Sequence, residues 1–414
     1  MSTSIKIGLA GFGTVGRAFH QLLESRKGHG FEISRILVKD PSKLRQGVEA
    51  LLTCRPEDLI EDPELDVIVE ATGEMSLARY LAEAVLLKGK AFVTANKALV
   101  AWHGEGLRRL ARRYGGCLLY EASCCGAIPV LRTLDKYYHT ESITCLQGIL
   151  NSTTNFLLDE LLAGKGWDEA LAHAWEQGLV ESDPSLDLNG ADAASKLAIL
   201  IGHAWNVTCT PADFPWSGID PGLFKWGLQQ HIRLVAHAWL SAPGRLSACV
   251  LPTIVETGTP LSSIRGLHNG LIIENDQGER QWIAGAGAGG PATASAIWND
   301  LLAWNQGYRY QTGRGAIRQT AVLDNEGELV ALLFYDDWEK IPAISFDLID
   351  AGFFSGGKYA RLGRIKVADL LRQDWWKQPG VSLIAVGPAK SARTETLVRS
   401  VLEPELMKQL LSVV

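Results

Sequence analysis

The chain has 414 residues, 47% of them hydrophobic and 21% charged, with a formal net charge of −6. That length suffices for two to three domains and a sizeable core, and the acidic balance speaks against a nucleic-acid binder. No apolar run approaches a membrane span, the N-terminus enters a strand without the marks of a signal peptide, and seven cysteines without metal spacing point to reduced thiols in a cytoplasmic protein.

Residues 5–10, IKIGLA, predict a buried strand. GFGTVG follows at 11–16, then a helix with Val15, Ala18, Phe19, Leu22 and Leu23 inward. A G-x-G-x-x-G between strand and helix reads as a dinucleotide site. Gly11 permits the tight turn, Gly13 lets the backbone approach a pyrophosphate, and Gly16 lets helix pack on strand. Thr14 and Val15 open the helix whose amides face the phosphates. The alternative is a tight turn in a doubly wound fold that binds nothing. The second strand, EISRILV at 32–38, ends in Lys39-Asp40. An acid there takes the ribose hydroxyls of NAD, and a cation takes the 2′-phosphate of NADP. Lys39, Lys43 and Arg45 lean toward NADP; Asp40 keeps NAD as the alternative.

DVIVEAT at 66–72 is the next strand, with Thr72 and Gly73 at its carboxyl end, where a cofactor lies in such folds. A helix over 76–88 and a strand in KAFVTANKALV, 90–100, lead to Lys97. A lysine at that end is either a surface residue or a proton donor and substrate clamp. A helix at 104–114 precedes GCLLYEAS, 116–123, and the turn Cys124-Cys125-Gly126-Ala127-Ile128-Pro129. A strand to about Leu150 then reaches Asn151-Ser152-Thr153-Thr154-Asn155 and a helix. Those polar side chains either cap the helix or hold a polar substrate.

GLVESDPSLDLNGADAASKLAIL, 178–200, gathers Glu181, Asp183, Asp187, Asp192 and Lys196 ahead of an apolar run. Asp192 and Lys196 are four apart and share a helix face. Buried acids and a buried lysine are costly unless paired or used. Read locally, the same pattern also fits a solvated acidic loop before an amphipathic helix with a surface ion pair.

With GFGTVG, VKDPSKLR (38–45), DVIVEATG (66–73), TANKALV (94–100), YEASCCGAIPV (120–130), GILNSTTNFLL (148–158), the 178–200 block and GAGAGGPATASAIWNDL (285–301) in this order, the chain resembles the homoserine dehydrogenases over roughly residues 5–305. The resemblance implies interconversion of L-aspartate 4-semialdehyde and L-homoserine with NAD(P)H in threonine and methionine biosynthesis. It implies Lys196, Lys97 and Asp192 as catalytic residues, and Glu181, Asp187, Asn151 and Thr153 on the amino-acid substrate. A monovalent cation such as Na+ falls at Glu121, Cys124, Gly126 and Ile128. It further implies an N-terminal Rossmann domain, a central α+β substrate domain and a homodimer, with neither nucleic acid nor membrane as partner.

The pattern departs from the family at a few positions. Cys125 and Ala127 stand in a turn that is usually glycine-rich, Ser152 replaces the glycine of N-G-T-T-N, and Leu179-Val180 stands where Tyr-Ala is common. Such changes beside a pocket leave open a related dehydrogenase acting on another amino-acid semialdehyde or amino alcohol, and a catalytically silent nucleotide-binding regulator. No regulatory ACT domain is recognisable after residue 306. The expected fold is α/β plus α+β: a Rossmann domain over 1–135, completed by about 285–310, a mixed-sheet substrate and dimerisation domain over 136–284, and a C-terminal α+β region over 311–414 of unassigned role. Thirteen tryptophans, with Trp375-Trp376 adjacent, read mainly as core packing.

Overall fold

The apolar runs of the first third become the strands they predict, and a short strand that none of them predicts, β3 (Leu52–Thr53), is added to them. β1 is Ile5–Ala10, β2 Phe31–Leu37, β3 Leu52–Thr53, β4 Val67–Glu70, β5 Ala91–Thr94 and β6 Cys117–Leu119. They form one parallel sheet in the order β3-β2-β1-β4-β5-β6, the doubly wound order whose direction reverses between β1 and β4. Strands buried on both faces need continuous apolar sequence, and Val67, Ile68 and Val69 have no exposed surface. Helices α1 (Thr14–Ser25), α2 (Met75–Leu87) and α3 (Lys97–Tyr114) connect successive strands, and α4 spans Val130–Lys136. α3 stops at Gly115, φ +75°, the left-handed cap position that favours glycine.

The computed structural model describes residues 4–26, 30–43, 45, 47–180, 188–219, 221–226, 232–310, 321–337, 341, 346–355, 358–391, 394–395 and 397–398. The chain divides into two units. The first is Met1–His139 with Gly285–Ala316; the second is Thr140–Ala284 with Ile317–Val414. The returning helix Gly290–Asn305 of the first unit packs on α1. A Cβ on Gly290 would lie 3.0 Å from the Thr14 carbonyl and 3.1 Å from the Ala18 Cβ, so this close crossing needs a glycine.

In the second unit the elements are β7 (Ile143–Ile149), α5 (Ser152–Leu162), α6 (Trp167–Glu176), α7 (Ala191–Trp205), β8 (Ile232–Ala242), β9 (Arg245–Ile254), β10 (His268–Asn275), β11 (Arg280–Ala286), β12 (Val322–Leu323), β13 (Glu328–Tyr335), β14 (Asp347–Ser355), β15 (Lys358–Lys366) and β16 (Val381–Pro388). They build a ten-stranded sheet, β11-β10-β7-β8-β9-β16-β13-β15-β14, with β12 beside β9. It is mixed: β9 and β16 meet in parallel through Thr253 and Ala385, while β7–β8–β9 and β16–β13–β15–β14 are antiparallel. α7 packs on β7, β8 and β9, and its residues from Asp192 to Ile201 are all buried.

The described strands after residue 321 share this sheet. Taken by themselves, β13–β16 lie in the order fourth-first-third-second, and the short helix Val367–Arg372 links the last two. That is the split β-α-β arrangement of ferredoxin-like folds. Their core is continuous with that of β8 and β9: Trp239, Cys249 and Leu251 pack in one cluster with Leu329, Leu333, Trp375, Trp376 and Leu383. Trp375 and Trp376 are 5% and 3% exposed, as the core-packing expectation has it.

Candidate active site

In the first unit the glycines of GFGTVG divide by task. A Cβ on Gly11, φ +96°, would sit 2.5 Å from the Ala71 carbonyl, and one on Gly16 would sit 2.1 Å from the Gly11 carbonyl. These two are demanded by the turn and by helix–strand packing. Gly13 would meet nothing within 4 Å. It is the N-cap of α1, with no side chain capping the helix, so first-turn amides beside Thr14 and Val15 are presented to a ligand. The arrangement fits a pyrophosphate whose closest approach is at Gly13.

The carboxyl ends of β4 and β5 are tied together by Glu70. This fully buried carboxylate accepts from the Thr72 amide and hydroxyl, both at 2.7 Å, and from the Thr94 hydroxyl. Thr94 Oγ1 in turn accepts from the Asn96 amide at 2.9 Å, and Asn96 Oδ1 caps α3 by accepting from Leu99 N at 3.0 Å. The chain of bonds orders Thr72 and Gly73, and sets Lys97 as the first residue of α3. Glu70 was missed in the sequence reading. Its signal was there: one charged residue closing an otherwise apolar strand.

At the end of β2, Asp40 turns onto its own loop. Its Oδ1 accepts from the Ser42 amide at 2.9 Å and hydroxyl at 2.6 Å. Those bonds, with Lys43 and Arg45 nearby, hold its carboxyl below the usual carboxylate range. Arg45 donates to the Asp40 and Lys43 carbonyls at 2.7 and 3.0 Å. Exposed Lys39 completes a cationic corner.

Of the two residues that stand for glycines in the turn after β6, Cys125 takes a left-handed conformation and Ala127 does not. The Cys125 φ is +60° and that of Gly126 is +58°, so a residue with a Cβ occupies a left-handed position. The Cys124 and Cys125 sulfurs stay 3.8 Å apart as thiols. A Cβ on Gly126 would lie 2.6 Å from the Ala286 carbonyl, and the Ala127 amide donates to that same carbonyl at 3.1 Å.

Glu121, 1% exposed, accepts from the Leu131 and Arg132 amides at 2.7 and 2.9 Å and from Arg132 Nε at 3.3 Å. It caps α4 from outside the helix. Burial raises its carboxyl pKa, against the pull of Arg132. The neighbouring Asp300, fully buried, accepts from the Glu121 amide at 2.9 Å, and burial with Glu121 beside it pushes its carboxyl well up. The Glu121 carboxylate is therefore committed to α4. A cation at Glu121, Cys124, Gly126 and Ile128 would have backbone carbonyls, and those of Glu121 and Ile128 already accept from Cys124 N and Val130 N. Among the described residues no group of three or more His, Cys, Asp or Glu side chains has metal-holding geometry.

In the second unit, the start of α5 meets the start of α7. Lys196 Nζ donates to Asp192 Oδ2 at 2.8 Å and to the Leu150 carbonyl at 2.6 Å. Asn151 donates to the same Asp192 oxygen at 2.9 Å, while its Oδ1 caps α5 through Thr154 N at 2.7 Å. Asn151 thus both caps α5 and braces the Asp192 carboxylate. The two bonds from Asn151 and Lys196 compensate the burial of Asp192, 5% exposed, and Asp192 does the same for Lys196, 7% exposed. Thr153 Oγ1 donates to the Leu179 carbonyl at 3.3 Å; position 179 serves that bond through its backbone. Glu181 and Asp187 lie outside the described residues. Just beyond them, the Ile219 amide donates to Leu188 O at 2.9 Å, and Gly190, φ +92°, approaches the Ser217 carbonyl so closely that a Cβ would lie 2.3 Å from it.

Residues 129–302 match the family model "Homoserine dehydrogenase", and 11–121 match "Homoserine dehydrogenase, NAD binding domain". The homoserine dehydrogenase of Lactococcus lactis subsp. lactis is 34% identical over 322 residues, covering 72% of this chain and 74% of the relative. That of Corynebacterium glutamicum is 36% identical over 318 residues, 72% of each. The chain belongs to the homoserine dehydrogenase family. Among solved structures, a homoserine dehydrogenase from Thiobacillus denitrificans superposes with a TM-score of 0.74 at 25% identity, covering 93% of this chain and 98% of that one. A hyperthermophilic archaeal homoserine dehydrogenase in complex with NADPH shares the fold, with a TM-score of 0.64 at 22% identity over 74% of this chain and 99% of that one. As a member of the homoserine dehydrogenase family, this chain is an oxidoreductase that interconverts L-aspartate 4-semialdehyde and L-homoserine with a nicotinamide cofactor, a step of amino-acid biosynthesis. No described helix is long and apolar enough to cross a membrane.

Proposed function

We propose that Lys196 is the proton-transfer group of this member of the homoserine dehydrogenase family, with Lys97 polarising the substrate oxygen and Asp192 holding Lys196 in place. The observation that carries the reading is the buried Lys196–Asp192–Asn151 cluster. A chain does not keep an ammonium and a carboxylate nine-tenths buried at a helix start without strong compensation. As the aldehyde is reduced, negative charge grows on its oxygen; a positioned ammonium stabilises that charge and passes on a proton. Glu181 and Asp187 are the proposed acceptors for the substrate ammonium, and Asn151 and Thr153 line the same end of α5.

Gly11, Gly13, Thr14, Val15, Gly16, Thr72, Gly73 and Lys97 are the proposed cofactor contacts. When bound, the nicotinamide supplies the hydride. NADPH is favoured over NADH because Asp40 is engaged by Ser42, while Lys39 and Arg45 leave cationic charge for a 2′-phosphate. The archaeal neighbour was solved with NADPH. The chain works as a homodimer in the cytoplasm on this reading, its seven cysteines all reduced, and no step is assigned to a monovalent cation.

Homoserine-dependent reduction of NADP and NAD tests the assignment, with Lys196→Ala and Lys97→Ala beside the parent. Lys196→Ala should bind NADPH like the parent and lose roughly 100-fold or more in turnover, and Lys97→Ala should lose both turnover and NADPH affinity. Near-normal turnover of Lys196→Ala sinks the proton-transfer role, and sedimentation as a monomer sinks the dimer.

A further inference from the structure

The Leu150 carbonyl lies between β7 and α5 and takes two side-chain donors. One is Lys196 Nζ at 2.6 Å; the other is Asn269 Nδ2 at 2.9 Å. Asn269 stands near the start of β10 and is fully buried. Its Oδ1 accepts from Ser152 Oγ at 3.0 Å. Ser152 is the first residue of α5 and replaces the glycine usual at this position. All three partners, Leu150, Ser152 and Asn269, are therefore side chains or backbone of one small buried network ending on Lys196.

We propose that Ser152 and Asn269 are positioning residues for Lys196, acting through the Leu150 carbonyl. The proposal rests on the catalytic reading of Lys196 given above. A carbonyl oxygen offers two lone pairs. With Asn269 on one, Lys196 is confined to the other, one arrangement in place of several. An asparagine amide has a donor end and an acceptor end of nearly identical shape. The Leu150 carbonyl can only accept, so it takes the Nδ2 end, and the Ser152 hydroxyl, donating to Oδ1, holds the other end of the amide in that sense. Turned the other way, Oδ1 would oppose the Leu150 carbonyl and the ammonium would be drawn between two oxygens, away from its place beside Asp192. The serine that departs from the family pattern is thus a specific part of the lysine's support.

The test is a kinetic double-mutant cycle on the full chain. Asn269→Ala should lower kcat roughly 10-fold or more with an unchanged KM for NADPH, the signature of a group misplaced in the reacting complex. Ser152→Ala should lower kcat by a smaller factor, Ser152→Thr should keep the hydroxyl and most of the rate, and Ser152→Ala should cost nothing more once Asn269 is alanine. Melting temperatures of all variants are measured alongside. A kcat that is unchanged in Asn269→Ala, that merely follows the folded fraction, or two losses that multiply independently overturn the proposal. Lys196→Ala in the same assay separates the failures: if it stays active, the lysine reading falls first; if it is dead while Asn269→Ala has the parent's rate, only the positioning role falls.

Discussion

Asp192 Oδ2 and Lys196 Nζ meet at 2.8 Å across one turn of α7, both nearly out of contact with water. Removing one member leaves the other charge buried and uncompensated. Asp192→Ala should therefore destabilise the fold by about 3–5 kcal/mol as well as abolish turnover, measured by urea unfolding and steady-state rates. Asp192→Asn retains shape and an acceptor, so it should fold better than Asp192→Ala yet remain impaired in kcat. Equal stability of the two variants would count against a paired buried charge.

The glycines of the phosphate turn should separate binding from folding. Gly13→Ala places its Cβ where no protein atom lies within 4 Å. It should keep the parent's melting temperature and lose NADPH affinity by roughly 10-fold or more, since a methyl group there holds the pyrophosphate off the helix. Gly16→Ala would press a Cβ against the Gly11 carbonyl at 2.1 Å and should show its damage as lost stability. Titration of bound-cofactor fluorescence and thermal melts distinguish the two.

Cys124 and Cys125 are both buried, but only Cys125 has a positive φ. Replacing either by glycine removes a buried thiol and loosens the unfolded chain. At position 125 the change also relieves a left-handed strain of about 1–2 kcal/mol. Cys125→Gly should be more stable than Cys124→Gly by about that margin in denaturant unfolding.

Acid should weaken the second unit through His237. Its ring is enclosed in β8, with Nε2 3.2 Å from Thr253 Oγ1, and burial lowers its pKa from 6.5 to about 4. The neutral form is the one the fold accommodates. Its contribution is fully present above pH 6.5 and is lost as pH falls from there toward 4, because the unfolded chain binds the proton first; a shift of this size is worth about 3 kcal/mol. His237→Gln should flatten that part of the stability–pH curve, followed by chemical unfolding at several pH values.

Arg45 and Lys39 should matter to one cofactor only. Removing either charge is expected to raise KM for NADPH several-fold and leave KM for NADH nearly unchanged, because only the former carries a 2′-phosphate. Equal effects on both cofactors would refute the preference.

The first sheet was legible because parallel strands buried on both faces have to be apolar throughout, and GFGTVG marks the first crossover. The Asp192–Lys196 pair was legible from their spacing on one helix. The partners of that pair were less so. Leu150 contributes a carbonyl, which leaves no trace in residue type, and Asn269 lies 119 residues away on a strand whose register sets its direction. Glu121 entered the cation set only through the family resemblance, and nothing local connects it with α4, whose amides it accepts from ten and eleven residues on. The joining of the C-terminal strands to β9 was hidden for a related reason: a single parallel bridge, Thr253 with Ala385, has no signal in either strand alone.

That bridge bears on what happens when the chain is shortened. The archaeal neighbour is matched almost whole by 74% of this chain, which invites trimming here to the same length. In this chain β9 carries β16 on its flank, and Leu251 and Trp239 are shielded by Trp375 and Trp376. A product ending near residue 316 would leave β9 as a raw edge beside newly wetted tryptophan and leucine, the kind of surface on which chains pair indiscriminately. The extra strands have become the selvedge of the sheet, and cutting them should yield a protein that precipitates before it can be assayed.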